Sequence, residues 1–170
     1  MYNPGDDSYL LEKYVRKFAR GKVLDVGCGS GILMKAALTK SKNVSGVDID
    51  DDSVEHCKKL KLNASKSDLF SNVKGRFDVI IFNPPYLPQD ENMKEHKDLF
   101  GGKHGWEIIE KFFSKVDDYL ENKGEVLILF SSLTNKKKVD SIITKKFKFE
   151  ELESKSVGLM EKLFVYRCFR

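Results

Sequence analysis

KVLDVGCGSG, residues Lys22–Gly31, decides the fold of this chain. Lys22–Val26 is short and carries Val, Leu and Val, the composition of a buried strand. The glycines that follow stop it, and Gly31–Lys40 then places apolar residues at helical spacing. Strand, glycine turn and helix in that order open a parallel βα unit. Glycines at such a turn let the backbone reverse tightly and come close to a ligand.

The same alternation continues outward. Asn43–Ile49 (NVSGVDI) is a second strand, and a helix follows over Asp51–Leu62 with Asp50–Asp52 at its cap. Asn63–Ser67 is a short, weak strand, whereas Phe77–Asn83 (FDVIIFN) is a strong one. Trp106–Leu120 is amphipathic, with Ile109, Phe112, Phe113, Val116 and Leu120 on one face. Glu125–Phe130 (EVLILF) is a central strand announced by Lys123-Gly124, and Lys136–Lys145 is a lysine-rich helix. Phe147–Leu152 and Leu163–Phe169 close the chain as two strands in antiparallel relation. The pattern predicts an α/β fold: a seven-stranded, mostly parallel sheet with one antiparallel strand and helices on both faces. With 170 residues and neither repeat nor linker, residues 1–170 are expected to form a single domain.

Composition removes several classes of function. At 41% hydrophobic and 33% charged residues the chain reads as globular, and no apolar run is long enough to cross a membrane. The opening MYNPGDDSYL is neither basic nor apolar enough for a secretory leader, so a cytoplasmic location is expected. Lysine and arginine total 30 against 26 acids, a net +4 that permits an anionic partner without arguing for nucleic acid. Lys136–Lys138 and Lys145–Lys148 read either as a solvated helix face or as a patch for RNA. Cys28, Cys57 and Cys168 are odd in number and not closely paired, and His56, His96 and His104 have no ligand spacing. No metal is expected.

In a doubly wound sheet, ligands sit beyond the carboxyl ends of the strands, where the strand order switches. Four strand ends carry unusual residues. After the first, Gly27-Cys28-Gly29-Ser30-Gly31 departs from the dinucleotide spacing Gly-x-Gly-x-x-Gly, and Asp25 before it repels pyrophosphate but attracts an ammonium or sulfonium group. Asp48, about 20 residues on, is placed to accept from ribose hydroxyls, leaving the helix cap to its neighbours. Asp68 reads either as an Asx turn or as the acceptor for an adenine amino group, with Leu69 packing on the ring. The fourth end, Asn83-Pro84-Pro85-Tyr86, is the most informative. Two prolines cannot continue a ladder, so they leave carbonyls unpaired and fix the backbone. The Asn83 side-chain oxygen and the Pro84 carbonyl can hold both hydrogens of a planar –NH2, and Tyr86 offers a flat face. Such a clasp aims a delocalised, weakly nucleophilic nitrogen at an electrophile and stabilises the positive charge that develops on it.

On these residues the chain resembles class I, Rossmann-like S-adenosylmethionine (SAM)-dependent methyltransferases with an Asn-Pro-Pro-Tyr motif. Within them it is similar to the HemK family of protein-glutamine N5-methyltransferases, which modify the Gly-Gly-Gln loop of class 1 translation release factors. Tyr2-Asn3-Pro4-Gly5-Asp6-Asp7-Ser8-Tyr9-Leu10-Leu11 resembles the opening Y-x-P-x-E-D-[ST]-[FY]-L-L of the short archaeal and eukaryotic branch. Phe100-Gly101-Gly102-Lys103-His104-Gly105 resembles its Gly-Gly-x-x-Gly segment. The resemblance implies SAM as cofactor, with Asp25, Gly27 and Gly29 at its methionine part, Asp48 at the ribose, and Asp68 with Leu69 at the adenine. It also implies that Ser8, in an N-terminal segment over residues 1–20, closes the cofactor pocket, and that Asn83, Pro84, Pro85 and Tyr86 bind the acceptor.

The branch typically works with a small zinc-binding activator subunit, which implies a heterodimer; the short polar strand Asn63–Ser67 is an edge that a partner strand could extend. Two departures stand out. Asp6 replaces a usual glutamate, and only about 20 residues precede the first strand, where bacterial relatives carry a substrate-recognition domain. The tetrad is shared with adenine and guanine amino methyltransferases, so nucleic acid is the alternative substrate. His96 and His104 read as surface residues rather than as a general base, because the methylated nitrogen is acidic enough to lose its proton to water.

Overall fold

In the computed structural model, which describes residues 4–86 and 101–170, the chain runs in the order expected. The elements are α1 (Asp6–Phe18), β1 (Lys22–Val26), α2 (Ile32–Leu38), β2 (Asn43–Asp48), α3 (Asp51–Lys59), β3 (Ala64–Lys66), β4 (Phe77–Phe82), α4 (Glu107–Lys115), β5 (Leu120–Ser131), α5 (Lys136–Ile143), β6 (Lys148–Val157) and β7 (Glu161–Phe169). Tyr2, Asn3, His96 and Phe100 of the sequence reading lie outside the described residues.

One sheet holds all seven strands in the order β3-β2-β1-β4-β5-β7-β6. The pairs from β3 to β5 are parallel, and β7 alone runs against both of its neighbours. Side chains alternate across it. Leu24, Val26, Ile80, Phe82, Val126, Ile128 and Phe130 meet α4 and α5 on one face. Val23, Val79, Ile81, Leu127 and Leu129 meet α1, α2 and α3 on the other. Burial on both faces is why β1, β4 and β5 are apolar runs rather than alternating ones.

The first helix is not announced by the sequence reading. Asp6 and Asp7 in its first turn and Arg16 and Lys17 in its last complement the helix dipole. It buries Leu10, Leu11, Tyr14 and Val15. The Tyr14 hydroxyl donates to Glu153 Oε2 at 2.6 Å, and Lys13 pairs with the same carboxylate at 2.7 Å, pinning α1 to β6.

Two strands are longer than expected. β5 starts at Leu120, which pairs with Phe77, and Val79 then pairs with Glu125, so Glu121–Gly124 bulge out of the ladder. β6 runs past the expected end at Leu152 to Val157, through the mostly polar Glu153–Ser156 of an edge strand. Directly after that bulge in β5, Glu125 is buried between Arg20 and Arg167. The lysine-rich helix is partly neutralised: Lys136 pairs with Asp140 and Glu151, and Lys138 and Lys145 with Glu110. That favours the solvated face over an RNA patch.

Candidate active site

The strand order reverses between β1 and β4, so the crevice opens at their carboxyl ends. Val26 and Phe82 are register partners, which sets Gly27 directly beside Asn83. Val26 also pairs with Val47, and Asp48 with Lys66. The four strand ends singled out by sequence therefore form one continuous row.

Gly27, Gly29 and Gly31 all have positive φ, at 75°, 45° and 75°. A side chain at Gly27 or Gly29 would meet nothing within 4 Å, so the loop borders open space. The loop's own amides are spent internally. Gly27 and Cys28 N–H donate to the Val47 carbonyl at 2.7 and 3.0 Å, Gly29 N–H to Asp48 Oδ2 at 2.8 Å, and Gly31 N–H to the Cys28 carbonyl at 2.7 Å. A phosphate nest needs such N–H groups turned to the ligand. This loop withholds them, in keeping with Asp25 at its start.

Asp25 is completely buried, and neither of its carboxylate oxygens has a hydrogen-bond partner among the described residues. Burial, with the neighbouring Asp48 charge, raises its pKa to about 8. A buried carboxylate with no partner is a site waiting for a cation. The positively charged ammonium and sulfonium of SAM fit that need together with the open glycine turn; a dinucleotide pyrophosphate does not. Burial also pushes the Cys28 thiol, 3.9 Å from Cys57, well above its ordinary range, so both read as packing residues.

Asp48 accepts from Gly29 N–H with one oxygen and from Asp50 N–H at 3.0 Å with the other. It orients the loop and remains at the crevice, while Asp50 caps α3 by accepting from Asp52 and Ser53 N–H. Asp68 makes no Asx turn. Its carboxylate takes Lys111 Nζ at 2.9 and 3.1 Å, and Ser67 Oγ knits the turn instead. Leu69 is nearly buried with φ 49°, a conformation that leucine seldom adopts and that costs on the order of 1–3 kcal/mol.

At the β4 exit Asn83 Nδ2 donates to Asp7 Oδ2 of α1 at 2.9 Å, while Asn83 Oδ1 is buried without a hydrogen-bond partner among the described residues. Pro84 is buried, and both prolines are trans. The Tyr86 carbonyl accepts from Thr134 Oγ1 at 3.2 Å, and its ring packs among the residues of the α1–α3 face. The Gly-Gly segment lies against the tetrad: a Cβ at Gly101 would collide with the carbonyl oxygens of Pro85 and Gly105. Ser8 is buried in the first turn of α1. The sequence reading missed Asp7, Lys111 and Thr134, all of which reach the site across long stretches of chain.

His104 is engaged by Glu107 and Trp106. Its Nδ1 lies 2.7 Å from Glu107 Oε1 and its ring stacks on Trp106, so it serves the start of α4. We expect His104→Ala to keep kcat within about threefold of the parent, read from initial rates; a loss comparable to that of an oxyanion-type acceptor, about 100-fold, would make it a base. Among the described residues no group of three or more His, Cys, Asp or Glu is arranged to hold a metal, and no helix is long and apolar enough to cross a membrane.

Comparison with known proteins places this site in company. Residues 6–158 match the methyltransferase small domain. The chain is 40% identical over 182 aligned positions to a Methanocaldococcus jannaschii protein named provisionally as a protein N5-glutamine methyltransferase, covering 100% of this chain and 92% of that one. It is 34% identical over 136 residues to ribosomal RNA small subunit methyltransferase C of Buchnera aphidicola, covering 75% of this chain but only 37% of that protein. Among solved structures, the E. cuniculi Mtq2–Trm112 complex, described as responsible for methylating the translation termination factor eRF1, superposes with a TM-score of 0.83 at 22% identity, over 99% of this chain and 98% of that one.

Proposed function

We infer the chemistry from one premise: the chain belongs to the methyltransferase small domain family. It is a SAM-dependent N-methyltransferase. We propose that it methylates the side-chain amide nitrogen of a glutamine, in the Gly-Gly-Gln loop of a class 1 translation release factor. The observation that carries this reading is the Asn83 amide, whose oxygen is buried and has no hydrogen-bond partner among the described residues while its nitrogen is engaged by Asp7. An amide in that orientation spends its donor end on Asp7 and keeps an acceptor that a substrate –NH2 can use.

The chain's own residues divide the work. Asp25 offers its buried charge to the methionine ammonium, with Gly27 and Gly29 yielding space and Ser8 closing the pocket from α1. Asp48 takes the ribose hydroxyls, and Asp68 with Leu69 takes the adenine. When bound, SAM supplies an electrophilic methyl group on a sulfonium. Asn83 Oδ1 and the Pro84 carbonyl each accept one N–H of the substrate amide, which leaves the nitrogen electron pair facing outward from the clasp and concentrates negative potential where positive charge develops. Pro85 fixes the turn, and Tyr86 packs on the amide plane. As the N–C bond forms, the methyl's bond to sulfur would break with its electron pair staying on sulfur as a neutral thioether; the nitrogen is then cationic and its proton acidic enough to pass to water, so the two acceptors need only hold it in place.

The full-length relative named for N5-glutamine methylation supports the substrate. A partner is supported by the sheet edge and by the Mtq2–Trm112 neighbour: β3 is three residues long and lies at the end of the sheet. We propose that a small zinc-binding activator covers that edge, and that these residues act in the cytoplasm as one catalytic domain. The test offers labelled SAM with a release factor, total RNA and DNA in parallel, using the chain alone and co-expressed with candidate activators. Label on the Gly-Gly-Gln glutamine is the expected result. Label on nucleic acid alone would transfer the reading to an amino methyltransferase of bases, and equal activity and solubility with and without every activator would remove the partner.

A further inference from the structure

We propose that Asp7 is a positioning residue for the methyl acceptor, acting through Asn83 to set the direction and the strength of its carbonyl. This deepens the reading above and rests on it. A primary amide has two nearly isosteric ends, one an acceptor and one a double donor, and a half-turn about its last bond exchanges them. Only one of the two orientations can receive a substrate –NH2. In the other, the Asn83 amide would set its own N–H groups against those of the acceptor.

The structure shows what selects between them. Asp7 Oδ2 lies 2.9 Å from Asn83 Nδ2, across 76 residues of chain, and Asp7 is 5% exposed. An ionised carboxylate accepts and cannot donate, so it tolerates the –NH2 end of Asn83 and rejects the oxygen end. Oδ1 is thereby kept at the end of the amide away from Asp7, buried and without a hydrogen-bond partner among the described residues in advance of substrate. Asp7 is held there by the packing of α1: Leu10, Leu11, Tyr14 and Val15 are buried, and Tyr14 is tied to β6 through Glu153. The helix thus does more than cover a pocket. It delivers a fixed negative charge to the back of the acceptor clasp.

That charge has a second effect. A hydrogen bond from Nδ2 to a carboxylate favours the amide resonance form with negative charge on oxygen, so Oδ1 becomes a stronger acceptor. The benefit grows as the substrate nitrogen becomes cationic, which places it in the transition state more than in the bound ground state.

The experiment compares Asp7→Ala, Asp7→Asn, Asn83→Ala and the Asp7→Ala/Asn83→Ala double variant, using the full chain with whatever activator supports wild-type activity. Asp7→Ala is expected to lower kcat about 10- to 30-fold, the scale of a lost charge-assisted hydrogen bond, with KM for the glutamine substrate changed no more than about threefold. Asp7→Asn keeps an acceptor without its charge and is expected to recover part of the loss. In the Asn83→Ala background Asp7→Ala should cost less than about twofold further, because the group it acts through is gone. A second readout needs no turnover: the Asn83 side-chain NH2 resonances in a 1H–15N spectrum should be shifted downfield in the wild type and return toward ordinary values in Asp7→Ala. Additive losses in the double variant, or Asn83 resonances unmoved by Asp7→Ala, would overturn the proposal. Absence of wild-type methylation of the glutamine would instead overturn the function itself.

Discussion

Replacing Asn83 by alanine should lower kcat by about 100-fold or more, the scale seen when a preorganised acceptor or donor is removed from a developing charge. Three features of the site set that size. The Oδ1 atom is already buried and has no hydrogen-bond partner among the described residues, so the substrate amide need not displace one of their groups from it. The amide is locked by Asp7, so little orientation is left to be lost. The amide nitrogen of a glutamine is a poor nucleophile whose pair is delocalised, which leaves the reaction dependent on stabilising the charge it acquires. Cofactor affinity, measured by calorimetry, should change far less than kcat. Asn83→Asp is not a conservative control here, because it would set a second carboxylate at hydrogen-bond distance from Asp7. Single-turnover rates with the purified glutamine substrate decide the matter, and a loss under about fivefold would put the acceptor site elsewhere.

The sequence carries the fold through β1, β4 and β5, because strands buried on both faces must be apolar throughout and so stand out against the rest. It carries the site through local motifs that each end a strand, since parallel topology lines up strand ends without further information. Where these conditions fail, legibility fails. The first half of β6 is read as Phe147–Leu152, but its continuation to Val157 is a polar edge, and α1 is capped by Gly5, which supplies no side-chain cap. The Asp7–Asn83 and Asp68–Lys111 contacts join residues 76 and 43 positions apart. No pattern within one element announces them. Asp68 is the instructive case: its chemistry suggests an acceptor, its position suggests a turn, and the geometry gives its carboxylate to Lys111, a residue unremarked in the sequence.

Asp25→Asn should separate stability from cofactor affinity, raising one while lowering the other. In the folded protein the Asp25 carboxyl titrates at about 8, against 3.8 ordinarily, because it is buried and faces the Asp48 charge. Between those values the folded chain holds a proton that the unfolded chain has released. Stability contributed by this group is therefore fully present below about pH 4 and is lost as pH rises through about 8, by roughly 1.4 kcal/mol per unit. The asparagine variant has no such dependence. Without ligand, its Tm should match the wild type near pH 4 and exceed it by about 10 °C or more at pH 8, taking roughly 2–4 °C per kcal/mol for a domain of this size over the four or so units between the two values. Binding of a cationic ligand runs the other way. It requires the ionised carboxylate, so wild-type affinity for SAM should rise with pH until about 8, with a proton released on binding below that point. The variant should bind about 100-fold more weakly at pH 8, as for a buried charge deprived of its partner, and its affinity should be flat with pH. Calorimetry in buffers of different ionisation enthalpy reads the proton directly. If Asp25→Asn bound SAM as tightly as the wild type while its Tm advantage stayed constant from pH 4 to pH 8, the buried carboxylate would be neither the ligand's counter-charge nor a cost to the free protein, and the cation-waiting geometry would have to be abandoned.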